Sequence, residues 1–131
     1  MFVDASAVIA IVADEPERSA LLDKLESAHR VVISPVAVYE ATLALARITR
    51  DNLAGARAAI NDFIIMTGAI LVPIDGTVGE AAIDAFERFG KGRHRAGLNM
   101  GDCFAYACAK IHRVPLLCKG DDFVHTDIRI A

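Results

Sequence analysis

No apolar run in these 131 residues approaches the ~18 needed to span a membrane. The chain opens Met1-Phe2-Val3-Asp4, with no basic segment and no apolar leader before its first acid. A signal segment is therefore not read, and a cytoplasmic protein is expected. Cysteine is scarce, at three residues. Cys103 and Cys108 fall on a predicted helix and Cys118 in a predicted strand. An odd number without zinc-ligand spacing excludes a disulfide framework and a zinc site. Reduced, buried thiols are expected instead. Cations are not in excess either. Fourteen Lys and Arg stand against seventeen Asp and Glu, for a net charge of −3. That excludes a nucleic-acid coat protein with a basic footprint. It leaves room for an enzyme that grips nucleic acid through a metal and a few local cations.

What is present is enough apolar material for an ordinary core. The hydrophobic share is 54 %, and the length suits one domain spanning 1–131. Phe2-Val3 reads as a buried first strand, followed by a helix with Val8, Ile9 and Val12 on one face. Glu15-Pro16 breaks it, and Glu17 to Ser27 resumes helical spacing. Val31-Val32-Ile33 is an uninterrupted β-branched run, as in a strand covered on both faces. Ser34-Pro35 is a helix start, with Ser as N-cap and Pro at the first helical position. Its stripe of Val36, Tyr39, Leu43 and Ala46 runs to about Arg50, where Asp51-Asn52 punctuates. Leu53 to Met66 is again helical. A strand over 69–74, a turn at Asp75-Gly76-Thr77, helices over 78–89 and 101–111, and a strand over 114–118 complete the series. Ile128-Arg129-Ile130 is a candidate fifth strand at an edge. This alternation specifies an α/β class: one α/β/α sandwich around a mostly parallel sheet of four to five strands.

Acidic residues occupy four informative stations. Asp4 follows the first strand, Glu40 lies on the helix after the second, Asp102 opens a later helix, and Asp121-Asp122 follow the fourth strand. Each has an ordinary explanation when taken alone. Asp4 or Ser6 caps a helix, Asp102 complements a helix dipole with Asn99 as a capping partner, and Asp121-Asp122 are turn residues. Glu40 fits this pattern least, because it lies past the first turn and beside an apolar stripe. In a parallel sheet the strands' carboxyl ends share one edge, so the four stations would converge there. Two carboxylates ~4 Å apart repel by about 4 kcal/mol at an effective dielectric of 20. A hard cation such as Mg²⁺ or Mn²⁺ relieves that repulsion and keeps positions for water and phosphate oxygens.

The same residues resemble the PIN-domain ribonucleases, specifically the toxin half of VapBC-type toxin–antitoxin pairs. The likeness covers nearly the whole chain. It is carried by Met1-Phe2-Val3-Asp4-Ala5-Ser6-Ala7, by Ser34-Pro35-Val36 through Tyr39-Glu40, by Gly90-Lys91-Gly92-Arg93-His94 leading to Leu98-Asn99-Met100-Gly101-Asp102, and by Lys119-Gly120-Asp121-Asp122-Phe123 with Thr126-Asp127-Ile128. The resemblance implies a PIN-like fold and Mg²⁺- or Mn²⁺-dependent endonucleolytic cleavage of RNA. It implies Asp4 and Asp102 as principal metal ligands and Glu40 as a partner that positions the attacking water. Asp121 would be the fourth acid, with Asp122 as the alternative, and Ser6 a supporting donor. A cognate VapB-type antitoxin and a homodimer are implied as partners. Arg95-Ala96 departs from the Pro that often follows the His, and Met100 stands where an aromatic is common. Neither departure touches the acids.

Several other residues carry weaker expectations. Lys91, Arg93, His94 and Arg95 precede the Asp102 helix and are candidate RNA phosphate contacts, set against a plain solvated loop. His29, His112 and His125 are scattered and read as surface or cap residues. Lys119 either orients substrate or faces solvent. The apolar surplus at Leu43, Leu45, Ile48 and over 63–66 suggests a dimer or antitoxin contact. A haloacid-dehalogenase-type phosphotransferase would want Asp at position 6, where Ser stands. A receiver module would want its acidic pair at the first strand, where this chain has only Asp4. A non-cleaving scaffold that binds RNA or a partner is the remaining alternative.

Overall fold

A computed structural model describes residues 1–50 and 53–131. The Asp51-Asn52 punctuation lies outside the described residues. Four short strands, β1 (Phe2–Val3), β2 (Val32–Ile33), β3 (Ile70–Leu71) and β4 (Leu116–Leu117), form one sheet in the order β3-β2-β1-β4. Every pairing is parallel. The strand residues of β1, β2 and β4 are at most 1 % exposed. Helices therefore cover both faces, which is why these segments read as unbroken apolar runs. At the edge, β3 presents two exposed residues.

Among the described residues, six helices connect and flank the strands: α1 (Ala5–Val12), α2 (Arg18–Glu26), α3 (Pro35–Ile48), α4 (Leu53–Thr67), α5 (Gly76–Phe89) and α6 (Met100–Ile111). Their starts follow local chemistry. Ser34 accepts a hydrogen bond from the Ala37 amide at 3.2 Å, and Pro35 fills the first position of α3. Asp75 caps α5 through the Val78 amide at 3.0 Å. That cap draws Gly76 and Thr77 into the first helical turn, so the turn expected there is the helix start. The α1 pattern ends where Asp14 takes a positive φ of 57°, ahead of Pro16. The expected fifth strand is smaller than its β-branched sequence suggests. Ile130 forms a single parallel bridge to Leu116, with the Leu116 amide donating to Arg129 and the Ala131 amide to Leu116.

Chain order and strand order together make the site. The chain moves outward from β1 through β2 to β3, then returns to place β4 on the other side of β1. Crevices in such sheets open where the order reverses, at the carboxyl ends of the strands. Here that point lies beside β1 and β4. The Asp4 amide donates to the Leu117 carbonyl at 2.9 Å and fixes the two strand exits against each other. The helices that follow strands begin at this edge, and so does α6, which leads back into β4.

Candidate active site

Asp4 ends β1 and caps α1. It is 5 % exposed, and its Oδ2 accepts from the Ser6 amide at 2.9 Å and from the Ser6 hydroxyl at 2.5 Å. Ser6 Oγ in turn accepts the Lys119 amide at 3.0 Å, tying the exit of β4 to the start of α1. Asp102 lies in the first turn of α6 in a capping box. Its Oδ2 accepts the Asn99 amide at 2.8 Å, and Asn99 Oδ1 accepts the Asp102 amide at 3.0 Å. Capping and cleft lining are thus one arrangement. Each carboxylate is anchored through Oδ2 by its own helix start, and a carboxylate held by one oxygen keeps lone pairs for a cation.

Glu40 reaches the same place from the second turn of α3. A cleft of about 420 Å³ is lined by Asp4, Glu40, Asp102 and Asp122, with Ser6, Tyr39, Arg47 and Asn99 among its other walls. The protonation equilibria report this crowding. Burial pushes the Glu40 carboxyl up to about 7, with the charges of Asp4 and Asp102 adding to it. Burial likewise lifts Asp102 to about 6 against the lowering by Asn99, and the Asp4 and Asp122 charges add to the rise. Asp4 is raised by burial more than its Ser6 hydrogen bonds lower it, with a further contribution from Asp122. Carboxylates that disfavour one another's ionisation near neutral pH form a site short of positive charge.

Between the adjacent pair at the end of β4, Asp122 lines the cleft and Asp121 does not. Phe123, 2 % exposed, anchors this turn in the core. Asp121 and Asp122 are both exposed, and the Asp121 carbonyl accepts the Val124 amide at 3.1 Å. The fourth carboxylate lining the cleft is therefore Asp122, the alternative named beside Asp121.

The basic loop is not part of the cleft lining. The Arg93 guanidinium lies over the Phe86 ring at 5.5 Å, and the His94 ring meets Phe89 edge-on at 5.3 Å. His94 Nδ1 also accepts the Ala96 amide at 3.1 Å. Lys91, Arg93 and Arg95 are exposed. Lys119 pairs through Nζ with Glu15 at 2.5 Å and Glu17 at 3.2 Å. His112 is the C-cap of α6. The three cysteines are free thiols, two of them buried. Asp127 joins the closing segment to the helices through Tyr106, Arg88 and Lys110. Its carboxyl is held down to about 2, chiefly by the Tyr106 hydroxyl. Sequence reasoning missed Arg47 as a cleft residue. The signal was its i+7 spacing from Glu40, which returns to the same helix face.

The donor set fits a small hard cation. It is entirely carboxylate, partly buried, and raised in proton affinity first by burial and then by mutual repulsion, a combination that Mg²⁺ or Mn²⁺ offsets. Among the described residues the acids do not close into a preformed cage of three or more ligands. A cation that keeps much of its water shell needs only one or two of them.

The PIN domain family model matches residues 1–129. A VapC ribonuclease of Mycobacterium bovis is 40 % identical over 129 residues, covering 98 % of this chain and 95 % of that protein. One from Rhizobium meliloti is 40 % identical over 139 residues, covering 97 % and 98 %. Among solved structures, VapC20 of Mycobacterium tuberculosis, a sarcin–ricin loop cleaving toxin, superposes with a TM-score of 0.80 at 16 % identity, covering 99 % of this chain and 97 % of that one. A toxin–antitoxin complex from Klebsiella pneumoniae gives 0.71 at 15 % identity, covering 99 % and 95 %. Both share the fold. With the family model over almost its full length and VapC ribonucleases as its relatives, the chain belongs to the PIN-domain family, among the VapC ribonucleases.

Proposed function

We propose that this chain, as one domain, is a divalent-metal-dependent endoribonuclease and the toxin of a toxin–antitoxin pair. The observation that carries the reading is the convergence of Asp4, Glu40, Asp102 and Asp122 on one cleft, each of the first three raised in proton affinity. Asp4 and Asp102 are the residues that would hold Mg²⁺, or Mn²⁺ in its place. Such an ion supplies a more acidic bound water and neutralises charge on the scissile phosphate. Glu40, with its carboxyl near 7, is matched to take the proton of the attacking water at neutral pH. Ser6 holds Asp4 in place, and Asp122 completes the negative wall. Because water attacks phosphorus, the ribose 2′-hydroxyl is not the nucleophile, and no 2′,3′-cyclic phosphate forms.

A cognate antitoxin would silence the enzyme by covering the acidic cleft. Apolar side chains are exposed at Ile48, Ile65 and Met66, whereas Leu45 and Phe63 belong to the core. The surplus available to an antitoxin or a second copy is thus narrower than the sequence suggests. No helix among the described residues is long and apolar enough to cross a membrane. Lys91, Arg93 and Arg95 remain outlying phosphate contacts in this reading. An unchanged salt dependence of RNA binding in Arg93→Ala/Arg95→Ala would remove them.

Total cellular RNA, incubated with antitoxin-free protein in Mg²⁺, Mn²⁺ or EDTA, tests the function. Discrete metal-dependent products without cyclic phosphate ends, lost in Asp4→Asn, are expected. Asn is itself a good N-cap, so the variant should keep α1. RNA binding without cleavage in either metal would favour the non-cleaving scaffold.

A further inference from the structure

We propose that Tyr39 and Arg47 form a substrate subsite on α3 that holds an unpaired nucleotide beside the scissile phosphate. The Tyr39 ring stacks on its base, and the Arg47 guanidinium takes a flanking phosphate. This subsite rests on the ribonuclease reading above and specifies the form of RNA that the cleft accepts.

The placement follows from helical geometry. Tyr39, Leu43 and Arg47 are spaced i, i+4 and i+8, and Glu40, Ala44 and Arg47 i, i+4 and i+7. All five line the acidic cleft. One ridge of α3 therefore carries the catalytic carboxylate between an aromatic ring and a cation. Eight residues of α-helix separate the outer two by about 12 Å along the axis.

Tyr39 is 63 % exposed, although it sits on the helix that packs against α1 and α4. Among the described residues its ring meets no other aromatic side chain. It lines both the acidic cleft and the adjoining groove of Leu53, Arg57 and Asn61. An open aromatic face at the mouth of a nuclease cleft is a stacking platform for any base whose own face is free.

Among the described residues, Arg47 is the one cation lining the cleft. Its Nε donates to the Leu43 carbonyl at 3.3 Å, which lays the side chain along the ridge. Among the described residues it forms no ion pair with Asp4, Glu40, Asp102 or Asp122. A divalent ion neutralises only the phosphate it binds. The next phosphate along the strand meets carboxylates, and Arg47 is the side chain placed to offset them. The exposed cations of the 91–95 loop lie outside this wall. A base stacked within a duplex has no face to offer Tyr39, so the RNA at this position must be single-stranded.

The test is binding without cutting. Fluorescence anisotropy would follow a single-stranded RNA oligonucleotide, and the same sequence as a duplex, on the non-cleaving Asp4→Asn protein with Mg²⁺ present. Preference for the single strand is expected. Adding Tyr39→Leu should weaken its binding by about 5- to 150-fold, the range of one base–aromatic stack, while Tyr39→Phe keeps it. Adding Arg47→Gln should reduce the slope of log affinity against log salt by about 0.7, one phosphate on a single strand. Equal binding by Tyr39→Leu, a Tyr39→Phe loss as large as that of Tyr39→Leu, or an unchanged slope in Arg47→Gln would overturn the subsite while the ribonuclease stands. No RNA binding by the parent protein would bring down the ribonuclease reading, and the subsite with it.

Discussion

The Glu40 carboxylate lies against the backbone of Gly101, so closely that a Cβ at position 101 would overlap both of its oxygens. Gly101 precedes Asp102 in the first turn of α6. The absent side chain is what lets α3 and α6 bring their acids together. In Gly101→Ala the flexible end of Glu40 would move, since it is the cheaper part to displace. Ala is also the better helix former by about 1 kcal/mol. The variant should keep or slightly raise its melting temperature and yet lose roughly 10²-fold in cleavage, the usual cost of misplacing a reacting group by ~1 Å. Parallel melting and cleavage assays would check this separation.

Burial of the cleft carboxyls, with their mutual repulsion added, gives the metal-free protein a particular pH dependence. Glu40 and Asp102 have folded-state values of about 7 and about 6, raised from 4.5 and 3.8. A raised value means that the folded state binds more protons than the unfolded one. The stability from these groups is fully present below about pH 4 and is lost as pH rises through 6 and 7. In EDTA, melting temperature should therefore fall between pH 5 and pH 8. Mg²⁺ should restore more of it at pH 8 than at pH 5, because protons compete with the ion. Thermal scans at both pH values, with and without Mg²⁺, read this directly.

Removing one of these charges should trade activity for stability. Glu40→Gln relieves repulsion without changing size. Its metal-free melting temperature at pH 8 should rise by a few degrees, while cleavage falls by about 10²–10⁴-fold, the range for loss of a general base. A variant with lower stability and intact cleavage would contradict that assignment.

Asp121→Asn and Asp122→Asn should separate cleanly. Asp122 lines the cleft and raises both Asp4 and Asp102, so its loss should lower activity at least tenfold and alter metal affinity. Asp121→Asn should change cleavage less than twofold. Side-by-side rates at several Mg²⁺ concentrations decide between them.

Ser6→Ala removes two bonds at once. The Lys119 amide loses its acceptor and Asp4 loses a donor. An unsatisfied amide costs about 1–3 kcal/mol, and the Asp4 carboxyl should rise further. Denaturant unfolding should show the first effect and weaker metal binding the second.

Much of this was legible in the sequence because it is local. Ser34-Pro35, Asn99 with Asp102, and the apolar dipeptide before Asp4 each declare a helix start or a strand exit within a few residues. The parallel sheet then follows from alternation, and the shared edge from the parallel sheet. The rest depended on packing between distant segments. Asp122 rather than Asp121 lines the cleft because Phe123 is the residue buried there. The basic loop stays out of the lining, with Arg93 over Phe86 and His94 against Phe89, contacts that spacing does not announce. Ile128 to Ile130 has strand composition, but only one residue finds a partner on β4. Arg47 carried its signal in the i+7 step from Glu40, and only the cleft gives that step its meaning.

The most direct test of the carboxylate cleft is the rate of cleavage of one RNA substrate across a Mg²⁺ titration at pH 8, for the wild-type chain and for Asp102→Asn. Asn can still accept the Asn99 amide, so the helix start should survive. Saturable Mg²⁺ dependence, abolished by EDTA and lost or shifted to far higher Mg²⁺ in the variant, is the expected result. Cleavage that persists in EDTA, or that Asp102→Asn leaves untouched, would contradict a metal-dependent nuclease built on these acids.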